Sequence, residues 1–307
     1  MPVTTTRRGF FKNGVVAAAG ASVLGMQPQI AQAIAPVKRG FGSHMKLSCA
    51  AYSYRKYLKE QNPPTMTIED FLDECVKLGL EAAEPTSYYF PTPLTQEFLL
   101  NFKRKAFLLG LDISGTAVGN TFTYPPGPER DKELQHVNDW VDHAAVFGAP
   151  CIRIFAGQAP DGMSVEQARK YAIETTEEAC AYAATRGVFL ALENHGGIVP
   201  DAKGLLAIVR EVESDWFGVN LDTGNFVSDD PYADIAETAP YAVTVQVKVH
   251  IKTPSGQKVE ADFERILGIL ADSGYRGYVA LEYEGSEEPK EAIPRHIEEL
   301  QSILSRM

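Results

Sequence analysis

Four side chains able to hold a cation or move a proton stand at the ends of four apolar runs. Glu193 follows Val188-Phe189-Leu190-Ala191-Leu192, Asp222 follows Gly218-Val219-Asn220-Leu221, His250 closes the long run from Val243, and Glu282 follows Tyr278-Val279-Ala280-Leu281. Polar or glycine-containing sequence comes next in each case, so each residue closes a strand and opens a loop. Three carboxylates and one imidazole make a mixed oxygen and nitrogen shell. Such a shell suits one divalent ion, Mn²⁺ first, with Mg²⁺, Co²⁺ or Zn²⁺ as alternatives. Taken singly, a strand-end carboxylate is most often a helix cap and a strand-end histidine a bonded core residue. Four of them in consecutive units of one pattern point past capping to a metal site. Crowded at a water-poor rim, their negative charges would raise one another's pKa values sharply unless a cation stood among them.

Successive members of the set are separated by roughly 30 residues, the length of one strand-loop-helix-loop unit. Strand-like and helix-like stretches alternate from Leu47 to Ser305, and eight such units can be counted. Glycines at 79, 110, 148, 187 and 274 supply helix stops. Alternation implies a parallel sheet and a count of eight implies closure, which predicts a single α/β domain, a (β/α)8 TIM barrel, over residues 46–307. In that fold all strands point one way, so the four side chains gather at the rim where barrel enzymes place their chemistry.

Upstream, residues 1–33 read as a twin-arginine signal peptide. Arg7-Arg8-Gly9-Phe10-Phe11-Lys12 precedes an alanine- and glycine-rich apolar stretch and the small-x-small site Ala31-Gln32-Ala33. The apolar stretch is too short and weak for a membrane anchor. The expected partner is the twin-arginine export machinery and the expected location periplasmic or secreted. Residues 34–45 read as a linker, with Pro36, Gly40 and Gly42 and no periodicity.

Several further residues fall near the predicted rim. Strand alternation puts Lys248 on the same side as His250, where a lysine needs a carboxylate partner, and brings Lys252 to the mouth as a substrate contact. Arg153, inside the apolar run Ile152 to Phe155, must be paired, and bracing another strand is the simplest role. Glu84 ends the second strand as the four ligands end theirs. His195, two residues beyond Glu193, can bond substrate oxygens or act as an acid, or else cap the following Gly196-Gly197 loop. Aromatic loops carrying Tyr88 and Phe122 supply faces on which a sugar ring stacks. The net charge of −11, with no basic stripe after residue 33, argues against nucleic acid as a partner, since phosphate binding relies on a basic footprint. The four cysteines, at 49, 75, 151 and 180, have no paired short spacing and read as buried free thiols.

The motif set Leu192-Glu193-Asn194-His195, Asn220-Leu221-Asp222-Thr223-Gly224-Asn225, Val249-His250-Ile251-Lys252 and Leu281-Glu282-Tyr283 resembles the sugar phosphate isomerase/epimerase group of xylose-isomerase-like TIM barrels. That group includes ketose 3-epimerases, hydroxypyruvate isomerase and inosose dehydratase. The resemblance implies a metal-dependent isomerase or epimerase acting on a ketose or keto-sugar. Glu193 and Glu282 would be both ligands and the acid/base pair, working through an enediolate. It also implies a departure: the ketose 3-epimerases carry a substrate-binding histidine three residues after the metal-bound aspartate, and this chain has Asn225 there. A lyase or dehydratase that eliminates a β-substituent from a 3-keto-glycoside or inosose-like substrate is the catalytic alternative. An exported sugar-binding protein without turnover is the non-catalytic one, and a homo-oligomer is compatible with either.

Overall fold

A computed structural model describes residues 34–307; the expected signal peptide, 1–33, lies outside the described residues. Eleven strands follow one another through this length: β1 (His44–Ala50), β2 (Ala82–Glu84), β3 (Asp112–Ile113), β4 (Thr116–Ala117), β5 (Cys151–Ile154), β6 (Phe189–Glu193), β7 (Phe217–Asp222), β8 (Ala242–Lys248), β9 (His250–Lys252), β10 (Lys258–Glu260) and β11 (Arg276–Glu282). Eight helices alternate with them: α1 (Ile68–Lys77), α2 (Gln96–Leu108), α3 (Pro128–Phe147), α4 (Val165–Arg186), α5 (Ala202–Val209), α6 (Pro231–Thr238), α7 (Phe263–Asp272) and α8 (Pro289–Leu304). Nine strands form one parallel sheet in the order β3-β2-β1-β11-β8-β7-β6-β5-β4. The expected single (β/α)8 barrel is the observed fold. Among the described residues no helix is long and apolar enough to cross a membrane.

The third barrel position, read from sequence as one run from Leu111 to Val118, is two short strands. β3 pairs with β2, β4 pairs with β5, and a single bridge from Thr86 to Ala117 completes the ring. Gly115 stands at the break, where a Cβ would come within 2.9 Å of the Cys151 sulfur. The seam is sealed from outside by Trp140 of α3, whose indole N–H donates to Thr116 Oγ1 at 3.2 Å, in an aromatic cluster with Phe90, Phe102 and Phe147.

Helix boundaries follow local chemistry. Thr67 and Asp70 form a reciprocal capping box at the start of α1. Gly148 and Gly187, with φ of 89° and 68°, end α3 and α4 in the left-handed conformation that only glycine adopts without strain. Residues 34–45 differ from the expected free linker. β1 already begins at His44, and the preceding segment is tied across the barrel's lower end: Val37 N donates to Pro240 O at 2.9 Å and Arg39 to Ala242 O at 2.6 Å.

Two irregularities on one side of the barrel decide where the chemistry sits. The β7–β8 ladder shifts register between Val219 and Asn220, and Val243 packs so tightly over Gly218 that a Cβ there would lie 2.5 Å from its Cγ1. After the shift Asp222 stands beside Gln246, and on the next strand Glu282 stands beside Lys248. β8 then ends. The chain bends at Val249 and leaves the barrel as the hairpin β9–β10, in which His250 pairs with Glu260 and Lys252 with Lys258. The continuous strand expected from Val243 to His250 is therefore two strands in two different sheets.

Candidate active site at the barrel mouth

Glu193, Asp222 and Glu282 each occupy the last position of their strand, as expected, and all are buried. Alternation turns Asn220, Asp222, Gln246 and Lys248 to the barrel interior, so the ring closes on β8 with an amide and an ammonium. The Lys248 side chain, 7% exposed, reaches Asp222 Oδ2 at 3.3 Å, Glu282 Oε2 at 2.8 Å and Glu284 Oε2 at 3.0 Å. On the other side Asn225 Nδ2 donates both to Glu193 Oε1, at 2.9 Å, and to Asp222 Oδ2, at 2.8 Å. Asp222 Oδ1 takes the Gly224 N–H at 2.8 Å. Asn194 fixes the Asp222 backbone, donating to its carbonyl at 2.8 Å and accepting from its N–H at 3.0 Å.

Glu193 has its own cation. Arg153 Nε lies 3.0 Å from Glu193 Oε2, in ion-pair contact but not aligned as a hydrogen bond. The guanidinium also donates to Val118 O and more weakly to Tyr88 Oη, at 3.3 and 3.4 Å, and lies 3.9 Å over the Phe155 ring. Phe155 stacks in turn on His195, with ring centroids 4.3 Å apart. Arg153 thus both braces strands and holds a rim carboxylate.

Below the ring the interior is polar. Gln246 donates to Glu84 Oε1 at 2.6 Å and accepts from Asn220 at 2.8 Å, and the hydroxyls of Ser48 and Ser114 are bonded at 2.8 Å. Burial sets the proton affinities here. It pushes Glu84 up to about 7, against the Gln246 hydrogen bond, and Glu193 up to about 7, against the Arg153 charge. Burial also raises Asp222, with Lys248 opposing. For Glu284 burial works upward, but the Lys248 charge and hydrogen bond outweigh it and the carboxyl is lowered. His195 is lowered by partial burial and by Arg153 and Lys248.

The remaining expected residues divide. His250 is half-buried and makes no side-chain hydrogen bond or ion pair among the described residues. It lines a cavity of about 170 Å³ shared with Lys248, Asn225, Lys252 and Glu284, and a second of about 240 Å³ with Tyr283 and His296. Among the described residues no three His, Cys, Asp or Glu side chains stand as a group that could hold a metal ion. Of the four expected ligands, Glu193, Asp222 and Glu282 are linked to one another through Asn225 and Lys248 rather than grouped for a metal, and His250 is carried away by the hairpin. Lys252 lines the cavity, Tyr88 touches Arg153, and His195 is at the solvent-facing edge. Phe122 is wholly buried in the core, which corrects its expected place as a substrate contact. Glu284 and Gln246 were missed. Glu284 lies two residues beyond Glu282, on the same face, which was the available signal. All four cysteines are buried free thiols.

The family described as the xylose isomerase-like TIM barrel matches residues 72–303. No curated protein matches the chain. Similar solved structures include a D-psicose 3-epimerase from Clostridium cellulolyticum H10, 17% identical, covering 85% of this chain and 97% of that one with a TM-score of 0.66. A 3-keto-D-glucoside 4-epimerase from E. coli is 16% identical, covering 84% and 100% with a TM-score of 0.65. A xylose isomerase-like TIM barrel protein from Mycobacterium smegmatis, in complex with magnesium, is 19% identical, covering 85% and 97% with a TM-score of 0.66. At these identities the likeness is one of fold.

Proposed function

From its place in the xylose isomerase-like TIM barrel family, to which this chain belongs, and from the layout of its mouth, we propose that the protein is a sugar isomerase or epimerase. It acts on a ketose or keto-sugar by moving a proton at the carbon next to the carbonyl. The observation that carries this reading is a pair of buried carboxylates at the strand ends of one rim, Glu193 on β6 and Glu282 on β11, with β7 and β8 between them and a separate cation on each. One carboxylate accepts the proton from the C–H; the bonding pair left behind forms a C=C bond and the C=O π pair moves onto the oxygen, giving an enediolate. The other returns a proton, to the opposite face for epimerisation or to the neighbouring carbon for isomerisation. Elimination of a β-substituent from a 3-keto-glycoside uses the same first step and is distinguished by its product.

The magnesium of the M. smegmatis protein raises the question of a divalent ion, Mn²⁺ above all. Glu193, Asp222 and Glu282 are donors of the right kind, and such an ion would polarise the carbonyl. Two features do not fit it: His250 lies on the hairpin, and the Lys248 ammonium stands among the carboxylates. No step is therefore assigned to the ion.

Incubating the protein with keto-sugars in deuterated water tests the reading. Deuterium is expected at the carbon beside the carbonyl, and Glu193→Gln or Glu282→Gln should abolish its uptake with the fold retained. Full exchange in either variant removes that residue from its role, and no exchange across the panel leaves a sugar-binding protein. Export through the twin-arginine route is part of the same proposal, checked by cell fractionation of the chain with Arg7 and Arg8 replaced by lysine.

A further inference from the structure

We infer that Lys248 is the resident cation of this mouth: its ammonium takes the place of a divalent ion, and the reaction proceeds without bound metal. The inference rests on the isomerase reading for its chemistry but on geometry for the substitution itself. The three N–H donors of an ammonium are matched here by three carboxylate oxygens, from Asp222, Glu282 and Glu284, at 2.8 to 3.3 Å. These groups arrive from the end of β7, the end of β11 and the loop beyond it. An ammonium that gathers carboxylates from separate elements does the gathering expected of a metal ion.

Lys248 is also clamped. Its backbone N–H donates to Thr223 Oγ1 at 3.0 Å, and Gly224 packs so closely that a Cβ there would fall 2.6 Å from both Cβ and Cγ of Lys248 and 2.5 Å from the His250 carbonyl. Gly224 closes one side of the stem and three carboxylates hold its ammonium, so a divalent ion entering the ring would meet a like charge at contact distance. β8 offers no replacement ligand, because the side chain beside Asp222 is Gln246, already engaged with Glu84 and Asn220.

Of the three carboxylates around the ammonium, Glu284 is the most exposed and lines the neighbouring cavity with Lys248 and Asn225. A substrate carbonyl or hydroxyl oxygen entering from that cavity takes the N–H donor that Glu284 releases. Lys248 then stabilises the oxygen as it gains charge, while Asp222 and Glu282 keep the ammonium in place.

The test uses the full chain dialysed against a chelator. Mn²⁺ binding is followed by the electron paramagnetic resonance of the free ion, and deuterium exchange into keto-sugars is followed with and without Mn²⁺. The wild type is expected to leave Mn²⁺ free and to exchange equally in both conditions. Lys248→Met, which vacates the ring, is expected to bind Mn²⁺ at least about tenfold more tightly than wild type. Stoichiometric binding by the wild type, exchange that requires Mn²⁺, or a folded Lys248→Met with no gain in affinity would each overturn the inference. The wild-type titration decides the matter even where the variant does not fold. Exchange absent in every condition, with Mn²⁺ still unbound, overturns the isomerase reading and leaves the ammonium in its place.

Discussion

Replacing Glu84 with glutamine should make the protein more stable, and only at higher pH. The carboxyl is 2% exposed at the end of β2, and burial raises it from an ordinary 4.5 to about 7 despite the hydrogen bond from Gln246. Between those two values the native state keeps a proton that the unfolded chain has released. Stability therefore falls as pH rises through that window, and the loss is complete once pH exceeds about 7. The corresponding free energy is roughly 3 kcal/mol. Glutamine keeps the size of the side chain and the oxygen that accepts from Gln246 Nε2 at 2.6 Å. It also brings a new amide that must find a partner, which leaves a net gain of about 2 kcal/mol. Equilibrium urea unfolding, followed through Trp140 and Trp216, should give nearly equal stabilities for variant and wild type at pH 5. At pH 8 the variant should lead by about 2 kcal/mol. A difference that does not widen between the two pH values would refute the burial argument, and so would a variant that is weaker at pH 8.

Two further substitutions probe the clamps on the mouth. Gly224→Ala puts a methyl against the His250 carbonyl and the Lys248 stem, at 2.5 and 2.6 Å. Backbone cannot yield there, so a loss of about 1–3 kcal/mol is expected in urea unfolding, and an unchanged midpoint would show that the loop is loose. Arg153→Met leaves Glu193 buried without its cation. At pH 8 this should cost about 3 kcal/mol or more. The cost should shrink toward pH 5, where Glu193, already raised to about 7, takes up a proton instead. A cost independent of pH would mean that Arg153 acts through its packing on Phe155 alone.

The barrel was legible because its determinants are local and repeated. Apolar runs bounded by polar loops mark β6, β7 and β11, and each of the five predicted helix stops is a glycine with φ between 65° and 89°. What sequence could not supply was the split of the third strand. Leu111 to Val118 is uninterrupted apart from Gly115, and only the approach of Cys151 shows why the chain must break there. The tied-down segment 34–45 escaped for a similar reason. Its partners, Pro240, Ala242 and Tyr275, lie more than two hundred residues away, and composition carries no trace of them.

At the mouth, alternation identified Lys248 and His250 as members of one face, which is all that a period of two can do. It does not say where a strand stops. Had β8 run on to His250, the imidazole would have pointed into the same interior as Asp222 and Glu282, and Lys248 would have lain one step deeper. The register shift at Val219 and the bend at Val249 place Lys248 level with Glu282 instead and turn His250 out into a hairpin. Both irregularities depend on glycines of the neighbouring strand and loop, Gly218 under Val243 and Gly224 against Lys248. The identity of the cation in this ring is thus set by backbone fit between β7 and β8, two residues from the position that the ligand pattern alone would choose.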